Sequence, residues 1–156
     1  MIPSTKKCLR LLEKYGTSRN VIRHCKKVAE LARKIGRRNK ANVKLLNAAG
    51  LLHDITQGKA GKAQEKEVRK ILEAENCKEI IPLLKDYSMS PKNLLKMRTK
   101  EKRILKYCDS RVMENKIFSV ETRLEDAMLR YPERAEGFRK CIPILKKWER
   151  GFGITK

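Results

Sequence analysis

Residues 21–35, VIRHCKKVAELARKI, carry the clearest periodic pattern in the chain. Apolar residues and one histidine follow one another at steps of three or four: Val21, His24, Val28, Leu31 and Ile35. This spacing places them on one face of an α-helix. Similar spacing recurs along almost all of the 156 residues, whereas period-2 alternation and paired turn glycines are missing. The sequence therefore predicts an all-α fold without a sheet.

Capping and turn residues predict where the helices begin and end. Candidate starts are Ser4 or Thr5, Ser18, Asn42, Asn76 in a capping box with Glu79, Ser90 with Pro91, Thr99, Ser119 and Pro132. Candidate ends are Gly16, Gly36, Ile55, Ala74 and Trp148. The third helix is expected from Val43 to Ile55 and the fourth from Gln64 to Ala74, with residues 58–62, GKAGK, as a loop. Pro82 lies early enough in its helix to be tolerated. About seven to nine helices are expected.

The length and charge of the chain bound its organisation and its partners. A chain of 156 residues is near the usual size of one domain, so residues 1–156 are expected to form a single domain. Thirty-nine Lys and Arg against eighteen Asp and Glu give a formal net charge of +21. Such a charge favours anionic partners such as phosphates, nucleotides or nucleic acid. A merely solvated basic surface is the alternative, because charge alone identifies no ligand.

The cysteines and the hydropathy pattern indicate a cytoplasmic protein. Five cysteines form an odd number, are widely spaced and include no C-x-x-C, which argues against a disulfide framework or a zinc ribbon. They are expected to be reduced thiols. No segment resembles a signal peptide or approaches the length of a membrane span. We therefore expect no membrane partner, while the oligomeric state stays open.

Four residues are placed where a metal site could form. Residues 45–55, LLNAAGLLHDI, end an apolar run with His53 and Asp54, and His53 continues the apolar face of its helix. His24 lies on the apolar face of its own helix, and Asp109 lies at the edge of a third. If the three helices pack together, His24, His53, Asp54 and Asp109 offer two imidazole nitrogens and two carboxylates to one ion. Such a mixed set suits Mn, Fe, Co, Ni or Zn better than Mg or Ca.

Simpler interpretations of these residues stay open at this point. Each histidine alone could be a hydrogen-bonded core residue, and Asp54 and Asp109 could pair with the abundant Lys and Arg. Cys25 and Cys108 are interpreted as small core residues. The acidic residues of 121–126 are interpreted as surface ion-pair partners of Arg123 and Arg130 at helical spacing.

The same residues resemble a known family. The segments VIRHCKKVAELARKI, LLNAAGLLHDI, KRILKYCDSRV and VETRLEDAMLRY are similar to the HD-domain metal-dependent phosphohydrolases, whose signature is H, then HD, then D on separate helices of an all-α bundle. The resemblance covers residues 18–131, with a C-terminal helix, residues 132–149, packed on this core. It implies that His24, His53, Asp54 and Asp109 bind one divalent metal, which activates water for attack on a phosphate ester.

Departures from the family pattern shape the expected function. Gln57 stands where many members have a lysine, and Lys59 follows two residues later. With Asp54, these two residues are candidate catalytic residues, and the candidates for holding substrate phosphate are Lys59, Arg23 and Arg111. Binuclear members supply further histidines, but this chain has only two. We therefore expect one metal and a small phosphorylated substrate, such as a nucleotide. The alternative is a catalytically degenerate module that binds nucleic acid or nucleotides through its basic surface.

Overall fold

The computed structural model describes residues 1–56 and 61–154, and this part of the chain is almost entirely helical. Its nine α-helices are α1 Thr5–Lys14, α2 Arg19–Arg38, α3 Val43–Leu52, α4 Gly61–Ala74, α5 Ile81–Leu84, α6 Pro91–Lys96, α7 Lys100–Asp109, α8 Val120–Arg130 and α9 Ala135–Gly151. Two short 3₁₀ turns, Lys78–Ile80 and Pro132–Arg134, precede α5 and α9. The predicted all-α class and helix number are confirmed.

Six of the helices begin at side-chain caps that the sequence predicted. In each, the side-chain oxygen of the cap accepts a hydrogen bond from the backbone N–H three residues later, which satisfies one of the free donors of the first turn. The caps are Ser4, Ser18, Asn42, Ser90, Thr99 and Ser119. Capping chemistry is local, and for this reason it can be identified from sequence alone.

Several predicted boundaries differ from the structure. Helix α2 continues past Gly36, α3 ends before His53, and α4 begins at Gly61 inside the segment predicted as a loop. The other predicted loop residues, 58–60, lie outside the described part of the chain. Helix α9 begins after a 3₁₀ turn rather than at Pro132, and it continues past Trp148. These ends depend on tertiary packing, which local sequence signals do not report.

Asn76 does not cap a helix start as the sequence predicted. It adopts a left-handed conformation with φ 60° just after α4, a conformation that asparagine tolerates better than most residues. Cys77 N–H then donates to the carbonyl of Leu72, 2.7 Å away, which closes the end of α4. Asn76 therefore ends one helix instead of beginning the next.

A small hairpin is present although no sheet was expected. Val112–Met113 pairs antiparallel with Lys116–Ile117, and Glu114 in the turn has a positive φ of 56°. Strands of two residues are too short to produce an alternating pattern, so periodicity could not reveal them. The hairpin follows α7 directly and precedes α8.

Helices α2 and α3 form the centre of the packing. A Cβ added at Gly50 of α3 would lie 2.7 Å from the Cα of Ala29 in α2, so the two backbones approach closely at this point. Helix α7 packs on both α2 and α3. The three helices that carry the predicted ligands are therefore mutual neighbours. Among the described residues, no helix combines the length and the apolar character that crossing a bilayer requires.

The C-terminal helix is joined to this centre by a buried polar network. Glu149 of α9 is buried and accepts a hydrogen bond from the Tyr107 hydroxyl of α7. Lys146 Nζ lies 2.7 Å from Glu149 Oε1, and Arg111 donates to the Tyr107 hydroxyl over 2.6 Å. Trp148 of the same helix packs in the core. The network fixes α9 against the helix that carries Asp109.

Candidate metal centre

His53 is held at the end of α3 with one ring nitrogen fixed. Its side chain is fully buried, and its Nδ1 lies 2.8 Å from the backbone carbonyl oxygen of Gly50. Because a carbonyl oxygen can only accept, Nδ1 carries a proton and donates it. This bond turns Nε2 toward the cluster. An imidazole oriented by such a backbone bond is typical of metal-ligating histidines.

The four predicted ligands converge. His24 Nε2 of α2 lies 3.0 Å from Asp109 Oδ1 of α7 and 3.6 Å from Asp54 Oδ2. His53 Nε2 lies 3.4 Å from those same two oxygen atoms. One ligand atom each from His24, His53 and Asp109 lies within 4.8 Å of the others. Two nitrogens and two oxygens from three helical segments therefore surround one small volume.

The donor set fits a divalent cation. His53 Nε2 is buried and has no hydrogen-bond partner among the described residues, although two carboxylate oxygens are 3.4 Å away. Buried polar atoms are normally paired, so this atom indicates a missing partner between the histidines and the carboxylates. A cation bound by nitrogen and oxygen would supply it. Pairing of the carboxylates with Lys or Arg alone does not account for this atom.

The electrostatics of the cluster favour a positive charge. Burial alone would lower the pKa of His53, but the carboxylates of Asp54 and Asp109 outweigh it and raise that pKa well above its ordinary value. Burial alone would raise the pKa of Asp109, but the charge of His53 and the hydrogen bond from His24 hold that pKa well below its ordinary value. Asp109 would therefore offer an anionic oxygen to a metal, and a bound metal would displace the proton of His53 Nε2.

A second set of side chains, which the sequence analysis missed, borders the cluster. Lys106 Nζ is almost fully buried, lies 3.8 Å from Asp109 Oδ2 and sits 4.0 Å from the ring centre of Tyr87. Burial lowers the pKa of Lys106. Gln64 Nε2 donates to Asp54 Oδ1 over 3.1 Å. Spacing could have identified Lys106, because it lies three residues before Asp109 and so shares its helix face.

Arg111 and Arg23, the other predicted site residues that the structure describes, are not brought into the cluster. Arg111 donates to the Phe118 carbonyl and the Tyr107 hydroxyl and lies 3.7 Å from Glu149, so its guanidinium belongs to the network of α9. Arg23 is exposed on α2. Gln57 and Lys59 lie outside the described residues. Cys25 and Cys108 are buried in the core, as interpreted from the sequence.

Two connected cavities open from the cluster. A cavity of about 150 Å³ is lined by His53, Asp54, Gln64, Tyr87, Lys106 and Asp109, among others. A groove of about 430 Å³ shares Asp54, Lys106 and Asp109 with it and continues along α8. The larger volume is within the range of small-ligand sites. The cluster is therefore accessible to a ligand of moderate size.

Comparison with known proteins shows similarity to one family model and to curated proteins. A family model described as HD domain matches residues 21–114, which include all four ligands. A tRNA (cytidine(56)-2'-O)-methyltransferase of Thermoplasma volcanium is 47% identical over 55 residues, and the match covers 35% of this chain and 16% of the methyltransferase. The match thus spans about a third of this chain and a small part of the methyltransferase. No solved structure matches the chain significantly.

Proposed function

Because the chain belongs to the HD-domain family, we propose that it is a metal-dependent phosphohydrolase acting on a small phosphomonoester such as a nucleotide. The observation that carries this proposal is the convergence of His24, His53, Asp54 and Asp109 around one small volume, in which His53 Nε2 has no hydrogen-bond partner among the described residues. The match over residues 21–114 supports the same assignment, since HD domains bind divalent metals.

The proposed metal ligands are the two imidazoles and the two carboxylates of the cluster. Mixed nitrogen and oxygen donors suit one ion of Mn, Fe, Co, Ni or Zn. Such an ion polarises a phosphoryl oxygen and lowers the pKa of water. The bond from Nδ1 of His53 to Gly50 and the bond from Gln64 to Asp54 hold two of the four ligands in place.

The chain's own residues would position the phosphate and handle the protons. Asp54 is the most exposed of the four ligands, at 34% of its side chain, and lines both cavities. We place Asp54 beside the attacking water, with Lys106 as a fixed positive charge for the phosphate. In the reaction, the water oxygen bonds to phosphorus, the ester P–O bond breaks, and the leaving oxygen takes a proton. Gln57 and Lys59 are proposed catalytic residues, and Lys59 is a proposed phosphate contact.

The test is a screen of phosphomonoesters and phosphodiesters with Mn, Ni, Co or Zn added, using the full chain. We expect phosphate release from small phosphomonoesters, and we expect Asp54→Ala to abolish it. Glu136→Ala is the matched control, because Glu136 is exposed and pairs only with Arg139 among the described residues. A wild-type protein inert toward the whole panel with every metal would contradict the proposal.

A second candidate function has its own support. The net charge of +21 and the partial similarity to a tRNA-modifying enzyme favour a module that binds RNA without hydrolysing phosphoesters. Binding of this kind falls steeply with salt, because each phosphate contact releases counterions. RNA affinity that Asp54→Ala leaves unchanged, in a protein inert on the phosphoester panel, would support the module. Loss of phosphatase activity in Asp54→Ala would support the enzyme.

We also propose that residues 1–156 act as one HD domain in the cytoplasm. Helix α9 packs on α6, α7 and α8, and the Glu149 network joins it to α7. The five cysteines are buried and free of disulfides, which suits a reducing compartment.

A further inference from the structure

Helix α8 lines the groove with a regular row of side chains. Arg123, Ala127 and Arg130 follow at steps of four and three, and Arg134 continues the row beyond the helix end. Residues at these steps lie on one helix face. Arg123 and Arg130 are separated by seven residues, or about 10 Å of helix rise. The groove therefore extends well past the metal ligands, and its near and far ends carry different chemistry.

The near end of the groove holds two cations close together. Arg123 Nε donates to the Val112 carbonyl over 3.1 Å, and its guanidinium forms no ion pair within residues 1–56 and 61–154. Lys106 Nζ is almost fully buried, lines the same groove and lies 3.8 Å from Asp109 Oδ2. Two cationic side chains that line one groove attract an anion. This end therefore suits a phosphate beside Asp54 and Asp109.

At the far end of the groove, the planar guanidinium of Arg134 is held in place by two contacts. The guanidinium carbon of Arg134 lies 4.8 Å above the centre of the buried Phe138 ring, and its NH2 nitrogen donates to the Met89 carbonyl over 3.2 Å. Arg134 is exposed on its remaining side, and the neighbouring Tyr131 ring is 47% exposed. Arginine planes and aromatic rings are the surfaces on which nucleobases stack.

Surface ion pairing was expected for both Arg123 and Arg130, and within the described part of the chain the structure shows it for Arg130 but not for Arg123. Arg130 does pair with Asp126 at helical spacing, as interpreted from the sequence. Arg123 pairs instead with a backbone carbonyl and faces the groove. Among the described residues, Arg123 therefore lines the same groove as the buried Lys106 instead of forming a surface ion pair.

We propose that this groove is a nucleotide subsite in which Lys106 and Arg123 hold the phosphate and the Arg134–Phe138 pair carries the base. The inference rests on the proposed function for the position of the scissile phosphate. A groove of about 430 Å³ is larger than a lone phosphate requires and lies in the usual size range for ligand pockets. A base stacked on the Arg134–Phe138 pair would fill the additional space.

The test compares Arg134→Lys with Arg139→Lys in the full chain, using calorimetry in the presence of a chelator so that no turnover occurs. Both changes keep the charge and remove the planar fork. Arg139 is exposed, pairs with Glu136 and lies outside the groove, so it is the matched control. The probes are the four common nucleoside 5'-monophosphates, ribose 5-phosphate and inorganic phosphate.

We expect Arg134→Lys to weaken binding of at least one nucleotide on the order of tenfold, the effect of losing one base-stacking contact. Binding of ribose 5-phosphate and phosphate should stay unchanged, and Arg139→Lys should behave as the wild type. Arg123→Gln should weaken all phosphate-containing probes by a similar factor. Circular dichroism of each variant checks that the helices are retained.

Two results would overturn the inference: equal nucleotide binding by Arg134→Lys and Arg139→Lys, or equal losses for nucleotides and ribose 5-phosphate in Arg134→Lys. A selective loss of nucleotide binding in a protein without phosphatase activity would support the subsite while defeating the proposed enzyme. Failure of the subsite and failure of the proposed function are therefore distinguishable.

Discussion

His24 Nε2 lies 3.0 Å from Asp109 Oδ1, although 85 residues separate them in the chain. The contact joins α2 to α7, and His53 at the end of α3 completes the group. No pair of these ligands except His53 and Asp54 is close in sequence. A cation held by this group would therefore connect three parts of the fold at once, and metal binding should be coupled to stability.

The first prediction is that a divalent transition metal raises the melting temperature. A ligand at one hundred times its Kd stabilises the folded state by about 2.7 kcal/mol. For a domain of this size, each kcal/mol corresponds to roughly 2–4 °C. We therefore expect Mn or Ni to raise Tm by roughly 5–10 °C in differential scanning calorimetry, with full reversal by a chelator.

Asp109→Ala should abolish this shift, because it removes the ligand that contacts both histidines. Asp126→Ala is the control, since Asp126 is a surface residue paired with Arg130. An unchanged wild-type Tm with every metal, together with protein purified without chelator that contains none, would exclude the proposed ligand set.

The second prediction concerns Gly50, where α3 touches α2. A Cβ at this position would lie 2.7 Å from the Cα of Ala29, a backbone atom that cannot turn aside. Gly50→Ala should destabilise the protein by about 1–3 kcal/mol, the usual cost of overpacking. Because α2 carries His24 and α3 positions His53, metal affinity measured by calorimetry should fall as well.

Gly137→Ala is the matched control for this change. Gly137 lies in the first turn of α9, and a Cβ there would meet no atom within 4 Å. Alanine also favours the helix over glycine by about 0.5–1 kcal/mol. This variant should be equally or slightly more stable, with metal binding unchanged. Equal Tm values for the two variants would show that the α2–α3 contact is not tight in solution.

The convergence of four side chains could be predicted from sequence because two kinds of local information agreed. Helical spacing placed His24 and His53 on apolar faces, and the order of H, HD and D matched a known family. With only two histidines in the chain, few alternative sets existed. Convergence itself is a tertiary property, and the structure provides it through the packing of α7 on α2 and α3.

The residues around the ligands could not be assigned in the same way. Arg111, two residues after Asp109, was predicted to contact phosphate. Its guanidinium instead donates hydrogen bonds to the Tyr107 hydroxyl and the Phe118 carbonyl. Lys106 shares a helix face with Asp109, but neither Lys106 nor Arg134 stood out in the sequence, because charged residues are common throughout the chain. Which of many lysines and arginines faces a cavity depends on how α7, α8 and α9 pack, and periodicity does not determine that.

The third prediction is a pH dependence that Glu149 introduces. Burial alone would raise the pKa of Glu149, but hydrogen bonds from Lys146 and Tyr107 outweigh burial and lower it below its ordinary value of 4.5. A lowered pKa in the folded state gives stability that is present above pH 4.5 and lost as the pH falls through the folded value. Glu149→Gln should therefore cost about 2 kcal/mol at pH 7, or roughly 4–8 °C in Tm.

The difference in Tm between wild type and Glu149→Gln should shrink as the pH falls below 4.5, since protonation removes the same charge. Glu136→Gln is the control, because its pair with Arg139 is exposed and contributes little. Melting curves from pH 3 to 7 provide the measurement. A constant difference across this range would assign the effect of Glu149→Gln to packing rather than charge.

The fourth prediction is that the protein binds one metal ion per chain. A second ion would need its own set of ligands, and both imidazoles already belong to the first site. Among the described residues, Glu65 lines the small cavity beside Asp54, but it faces Lys102. Burial lowers the pKa of Lys102, while Asp86 and Glu65 oppose that effect, so these two carboxylates already have a cation nearby.

Calorimetric titration with Mn and anomalous scattering from crystals should therefore give a stoichiometry of one. His53→Ala should abolish binding, whereas Glu65→Gln should leave both stoichiometry and affinity unchanged, because Glu65 is not expected to be a ligand. Two tight sites in the wild type, one of which disappears in Glu65→Gln, would instead establish a binuclear centre. The phosphate would then lie between two ions, and the positive charge of Lys106 and Arg123 would not be needed to hold it.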